Sequence, residues 1–253
     1  MCDMRKILSL YMLLSLVALQ PAWSQEDKMK GDSAYIRGDY AAAIEIYEAL
    51  LQQGEAAELY YNLGNSYYKQ EELGRAILNY ERALLLQPGN ADVQANLEIA
   101  RAKTVDKVVP VPEIFFLAWI SSLRGCFTAD GWGVWAIAFF LLLVVCLTLY
   151  FFAKQMNWKK GGFFVGLTSL ILCIVCNLFA MQQRSRFIHR SEAIVLTPSV
   201  TVRSTPSEDG TSLFVLHEGH KLSVKDDSMQ GWKEIRLEDG KVGWVPSTAI
   251  EKI

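Results

Sequence analysis

Histidine is scarce in this chain and cysteine is confined. Among 253 residues there are three histidines and five cysteines. Cys2, Cys126, Cys146, Cys173 and Cys176 all fall in or beside apolar stretches, so 25–105 and 190–253 contain none. That excludes from both segments a disulfide framework and a thiol nucleophile with its partner histidine. His189, His217 and His220 lack metal-site spacing, and in His217-x-x-His220 the side chains are expected to diverge at a strand-to-turn transition, on the surface. No catalytic residue, metal or cofactor is therefore expected. A strong charge of one sign is also missing, because the net charge is −2. By segment it is about −5 over 25–105, about +4 over 106–189 and about −2 over 190–253. Basic side chains thus gather beside the apolar stretches, and nucleic acid is excluded as a partner.

What the chain has in abundance is apolar surface, at 51% of residues. Two runs, 133–153 and 161–181, each extend 21 residues without a charged side chain, the length a bilayer core demands. They read as a transmembrane hairpin within 132–182. Lys154, Lys159 and Lys160 between them place the connection in the cytoplasm and both flanking segments outside, and outvote Arg184, Arg186 and Arg190 after the second run. The N-terminus has Arg5 and Lys6, an apolar run from Ile7 to Leu19, Pro21, and the small pair Ala22-x-Ser24. This pattern predicts a cleaved signal peptide over 1–24, in which Cys2 lies ahead of the apolar run and cannot be a lipid-attachment cysteine.

Periodicity organises the region between. Residues 57–90 contain Tyr60-x2-Leu63-Gly64-x2-Tyr67, then Ala76-x3-Tyr80, then Pro88. Small residues at Gly64 and Ala76 let two antiparallel helices approach, Tyr67 and Tyr80 fill the space between, and Pro88 stops the second helix. A shift of 33 positions aligns Gly31 with Gly64, Ala43 with Ala76 and Tyr47 with Tyr80, so an earlier and more degenerate unit precedes. After Pro88, 91–103 reads as a capping helix in which Glu98 replaces the packing glycine. This pattern resembles the tetratricopeptide repeat, whose unit is about 34 residues. The resemblance implies an all-α solenoid over 25–105 whose first helices line a concave peptide-binding groove, here Tyr61, Asn62, Asn65, Tyr68 and Lys69. Two amides there could bond a peptide backbone, and tyrosines give rigid contact area at low entropic cost. The family's carboxylate clamp also needs basic residues on the next helix, where this chain has Asp92 and Asn96. Fewer than three whole repeats is marginal alone, so self-association or a partner surface is expected.

Val108-Val109-Pro110-Val111-Pro112 breaks the helical pattern. Within 106–131 it is followed by Ile114, Phe115, Leu117, Trp119, Ile120 and Leu123, which read as a helix lying in the membrane interface. From 190 to 253 the pattern becomes short β-branched runs between glycines and prolines. Val202-Arg203-Ser204-x-Pro206, Gly219, Gly231-Trp232 and Asp239-Gly240-x-x-Gly243-Trp244-Val245-Pro246 resemble bacterial SH3 domains, implying a small barrel with Trp232 and Trp244 at its surface or rim. Such modules often accompany cell-wall peptidases, but neither outer segment has the thiol those need. Cys173-x-x-Cys176 puts two thiols on one helical face, yet it lies inside a span, lacks a second pair, and is followed by Asn177 rather than His. Packing is the reading for both cysteines, with Asn177 bonding a neighbouring helix.

The expected fold is a multidomain membrane protein: an all-α tetratricopeptide solenoid, two transmembrane helices and a small all-β SH3-like barrel. The module order resembles the E proteins of the Bat aerotolerance operon of Bacteroidetes. That resemblance implies a non-enzymatic scaffold in the bacterial inner membrane, multi-pass, with both soluble domains in the periplasm. Its implied partners are von Willebrand factor A domain membrane proteins and a MoxR-type ATPase system. A cell-envelope sensor that binds peptidoglycan or wall peptides through the SH3 module is the alternative.

Overall fold

Five helices pack as antiparallel neighbours in the first half of the chain: α1 (Gln25–Ile36), α2 (Tyr40–Leu51), α3 (Ala57–Lys69), α4 (Leu73–Leu86) and α5 (Ala91–Lys103). The computed structural model describes residues 25–106 and 115–253. The predicted signal peptide and the proline linker lie outside the described residues. Each helix start has a local cause. Asp39 caps α2 by accepting from the Ala42 N–H at 3.2 Å, and Asn90 caps α5 by accepting from Asp92 and Val93. Between α3 and α4, a Cβ on Gly64 would stand 2.8 Å from the Tyr80 ring, so the missing side chain is what lets Tyr80 seat there. Tyr47, Tyr80, Leu59, Ile77 and Val93 are fully buried between the helices.

Next come α6 (Phe115–Gly125) and two helices long and apolar enough to cross a membrane, α7 (Ala129–Phe152) and α8 (Met156–Ile188). They form the expected hairpin. Lys154 lies between them, and Lys159 and Lys160 lie in the first turn of α8. A Cβ on Gly162 would meet the Cys146 carbonyl oxygen at 2.9 Å, and Ser169 Oγ donates to the Phe139 carbonyl at 2.8 Å. Small residues thus bring the backbones together and one hydroxyl bridges them. Asn177, expected to bridge, instead donates to the Cys173 carbonyl of its own helix at 2.9 Å, because it lies on the exposed side of α8. Cys176 packs in a small cluster with Trp132 and Ala136, and Cys146, Cys173 and Cys176 are free thiols.

The remaining residues form one antiparallel sheet of seven strands: β1 (Glu192–Val195), β2 (Ser199–Arg203), β3 (Ser212–His217), β4 (Lys221–Asp226), β5 (Trp232–Arg236), β6 (Val242–Pro246) and β7 (Ile250–Lys252). Their order is β3-β2-β6-β5-β4-β1-β7. The strand pattern of the sequence covers β2 to β6, and the structure adds β1 and β7. In β1 the alternation of a strand is buried on both faces: Ala193 and Val195 enter the barrel core, while Ile194 enters the core of the helical repeats.

Ile194 therefore marks a docking surface between the repeats and the barrel, most of it on α4, α5 and the residues just after them, with Glu55 before α3 reached by Arg190. The Gly74 N–H donates to Glu218 Oε1 at 2.7 Å. Arg82 donates to Glu251 Oε1 at 2.8 Å and to the Lys252 carbonyl at 2.6 Å. Glu81, with a side chain 9% exposed, is held between Arg101 and Lys221, and Lys221 also meets Glu192 at 2.9 Å. Burial opposes the charge on Lys221, but Glu81 and Glu192 outweigh it and raise its pKa above the ordinary lysine value.

The histidines differ from expectation. The turn at Glu218–Gly219 brings both onto one acid: His217 Nδ1 lies 2.7 Å from Asp106 Oδ1, and His220 Nδ1 lies 3.4 Å from Asp106 Oδ2. Gly219 makes this possible with a φ of +83°, where its backbone abuts Thr104 and Ile77. Burial lowers the His220 pKa more than Asp106 raises it. Asp106, although partly buried, is held below the ordinary carboxylate value by the His217 N–H and ring.

Candidate functional site

With the barrel on one side of the repeats, the opposite side is open. It is formed by α1, α3 and α5, the first helix of each unit, and carries two cavities of about 310 and 370 Å³ that share Tyr35 and Asn65. Together they make a trough across three helices.

All five groove residues expected from the sequence line it. Asn62 and Asn65 line the first cavity, and Tyr61, Asn65, Tyr68 and Lys69 the second. Lys69 is exposed and the other four are half-buried. Polar atoms of Tyr61, Asn62 and Asn65 are engaged within the array. Asp32 Oδ1 accepts from Tyr47 Oη at 2.7 Å and from Asn62 Nδ2 at 3.1 Å, and Asp32 Oδ2 accepts from Lys28 at 2.9 Å. Asn65 Oδ1 accepts from Tyr80 Oη at 2.8 Å and from Asn96 Nδ2 at 2.9 Å, and Asn96 also donates to Tyr61 Oη at 3.2 Å. Burial, then the bond to Asp32, push the Tyr47 phenol well up. Burial, then the neighbouring phenols, do the same for Tyr80. Both stay protonated and act as donors. The Lys103 ammonium sits 4.4 Å from the centre of the Tyr68 ring.

The result is a rigid phenol-and-amide floor rather than a row of loose hydrogen-bonding groups. Among the described residues, Asn62 Oδ1 and Asn65 Nδ2 make no further bond. Apolar grip comes from Ile36 and Ile99, which line the trough and are 82% and 52% exposed. Lys28 is paired to both Asp32 and Glu58, so its charge is neutralised at one end, while Lys69 and Lys103 lie toward the other. The trough can take an extended or helical segment against tyrosine and isoleucine faces. No group of histidines, cysteines and carboxylates with metal-holding geometry occurs among the described residues.

Several lining residues were not singled out from the sequence, although the repeat spacing carries them. A shift of 33 positions maps Asn65, Tyr68 and Lys69 onto Asp32, Tyr35 and Ile36, and a shift of 34 in the other direction maps Asn62, Asn65 and Lys69 onto Asn96, Ile99 and Lys103. Applying the groove positions to all three helices would have found them.

A second surface lies on the barrel. Trp232 pairs with Pro246 and Glu234 with Trp244, so both tryptophans stand on the same face of β5 and β6, opposite the buried Ile235 and Val245. Both are half-buried, and Val242 on β6 and Val215 on β3 are about half exposed.

Residues 57–90 match the tetratricopeptide repeat family, and residues 198–251 match the bacterial SH3 domain family. No curated protein gives a significant match to the chain. Both matched modules are of a kind that typically binds rather than catalyses, and they indicate protein–protein interaction or cell-wall binding.

Proposed function

We propose that the chain is a non-enzymatic adaptor anchored in a bacterial inner membrane, which holds a protein partner in the trough of its repeats. One observation carries this reading: the barrel occupies the α4 side of the repeats while Tyr35, Ile36, Tyr61, Tyr68 and Ile99 remain open on the other. Docking of the barrel on the repeats supports a topology with both on one side of the membrane, the periplasm. Arg190, which counted against that side, is held by a forked pair with Glu55 that joins the barrel segment to the repeats. The predicted cleaved leader fits the same export route. The order of the modules supports a place in a Bat aerotolerance complex, with von Willebrand factor A domain membrane proteins and a MoxR-type ATPase system as partners.

The test is co-purification from native membranes with a triple variant, Ile36→Glu, Ile99→Glu and Lys69→Glu, which alters lining residues without touching the Asp32 or Asn65 networks. Loss of partners is expected, and recovery of the same set as wild type would overturn the trough as their site. Labelling of the single variants Ser228→Cys and Gln52→Cys, set against Lys154→Cys, reads the topology; accessible Lys154→Cys from outside would reverse it.

The open face with Trp232 and Trp244 favours a second reading, an envelope sensor that binds peptidoglycan or wall peptides. Sedimentation of the detergent-solubilised full chain with purified cell wall, compared with Trp232→Ala/Trp244→Ala, tests it. Absence of co-sedimentation by the wild type removes this reading.

A further inference from the structure

Beside its cysteines, the apolar run of α8 at 161–181 contains three polar side chains, Thr168, Ser169 and Asn177, and they are satisfied unequally. Thr168 Oγ1 donates to the Phe164 carbonyl at 3.0 Å, and Ser169 Oγ donates to the Phe139 carbonyl of α7 at 2.8 Å. A hydroxyl has one hydrogen, so both donors are settled. An amide has two donors and an acceptor. Asn177 Nδ2 donates to the Cys173 carbonyl at 2.9 Å, and its second N–H has only a weak acceptor, Cys173 Sγ at 3.7 Å. Asn177 Oδ1 accepts nothing among the described residues.

Asn177 also marks a face. Alternating steps of four and three along α8 give Phe163, Leu167, Leu170, Ile174, Asn177 and Met181, the spacing of a seam between two helices. All six are exposed. The line that meets α7, through Gly162, Gly166, Ser169 and Cys176, runs one position earlier, about 100° away round the helix. α7 therefore leaves this face open. Lipid satisfies five of the six residues. It does not satisfy the amide, because hydrocarbon offers neither donor nor acceptor.

We propose that this face of α8 pairs, inside the bilayer, with the same face of a second copy of the chain, the two Asn177 amides bonding each other. Copies in one membrane share a topology, so their α8 helices run parallel, and a two-fold axis along the membrane normal sets equal residues at equal depth. Asn177 Oδ1 of each copy then accepts the second N–H of the other, while the bond to the Cys173 carbonyl is kept. A span of another protein matches only if it carries an amide at this depth; a second copy carries one by symmetry. Arg184, the next residue at the same spacing, lies past the apolar run and is long enough to turn outward into water. Such pairing needs the membrane anchoring proposed above, and works whichever side of the bilayer the outer domains occupy.

The full chain is first floated with phosphatidylcholine vesicles; absence from the floating fraction would overturn the anchoring and the pairing together. Sedimentation equilibrium of the same chain in density-matched detergent then reads association. The wild type is expected to dimerise, and Asn177→Leu to raise the dimer dissociation constant about tenfold. Asn177→Leu adds one more apolar side chain to the lipid-facing surface, so the hairpin should still fold. Asn177→Gln keeps the amide and should stay within about threefold of the wild type. A wild type that floats yet stays monomeric would overturn the pairing alone, and an unchanged constant in Asn177→Leu would put the contact elsewhere and overturn it too. In the vesicles, oxidative cross-linking of Leu170→Cys and Ile174→Cys should exceed the background set by the native thiols. Val165→Cys and Leu172→Cys, about half a turn round the helix, should not. Equal yields from the two pairs would overturn this face as the contact.

Discussion

On the α4 side of the repeats, contacts join residues more than a hundred positions apart, such as Gly74 with Glu218, Glu81 with Lys221 and Asp106 with His217. On the trough side they join neighbouring units, such as Asn62 with Asp32 and Asn96 with Asn65. The first side combines a buried strand residue, a buried carboxylate between two cations and a close glycine approach, all specific to one occupant. The second leaves tyrosine faces and isoleucines exposed over a floor many of whose polar groups are already engaged within the array. The surface that holds the barrel buries charge and backbone; the trough, proposed above to receive a partner, stays open.

The comparison can be broken most severely at Ile194. Ile194→Asp buries an unpaired charge in the repeat core while leaving Ala193 and Val195 in the barrel, and should cost about 4 kcal/mol or more of docking stability. Limited proteolysis of the full chain should then separate the outer domains while trough partners are retained. Glu81→Leu removes the acid shared by Arg101 and Lys221, and the cost expected is about 2–3 kcal/mol, moderated because Lys221 keeps Glu192. Thermal unfolding in detergent reads it. On the trough side, Tyr80→Phe deletes one donor to Asn65 and should cost about 1 kcal/mol, with no change in barrel docking by hydrogen exchange.

The smallest effect is that of pH, and it should fall on the docked side alone. The His220 pKa is lowered in the folded chain, so below about pH 6.5 the unfolded chain takes up the proton first and docking stability declines. Asp106, lowered as well, contributes above about pH 3.9 and loses its contribution as pH falls through its folded value. Protection of the barrel–repeat contacts, corrected for intrinsic exchange at each pH, should fall from pH 7 to pH 5, and His220→Gln should flatten that change. Equal sensitivity in the trough would remove the distinction.

The repeat unit at 57–90 was legible because its packing code is local: Gly64, Ala76 and Tyr80 meet across one turn between α3 and α4. The barrel was legible from β2 to β6 through alternation and turn glycines. β1 was missed because Glu192-Ala-Ile-Val is buried on both faces and shows no alternation of apolar and polar residues. Gly219 read only as one residue of the SH3 resemblance, since nothing local reveals that Thr104 and Ile77 press against it. The histidines read as surface groups for the same reason, their acid lying over a hundred residues away. The five expected groove positions do line the trough, but the amides of Asn62 and Asn65 looked wholly available because their partners sit one repeat away in either direction.

The two-faced burial of β1 bears on the order of synthesis. The repeats are made first, then the hairpin, and only then the residue that completes their core. Until Ile194 arrives, the array stands with an apolar seam uncovered. Under the topology proposed above, closure of that seam would be a check on the hairpin, because a barrel delivered to the far side of the bilayer would leave the repeats unsealed.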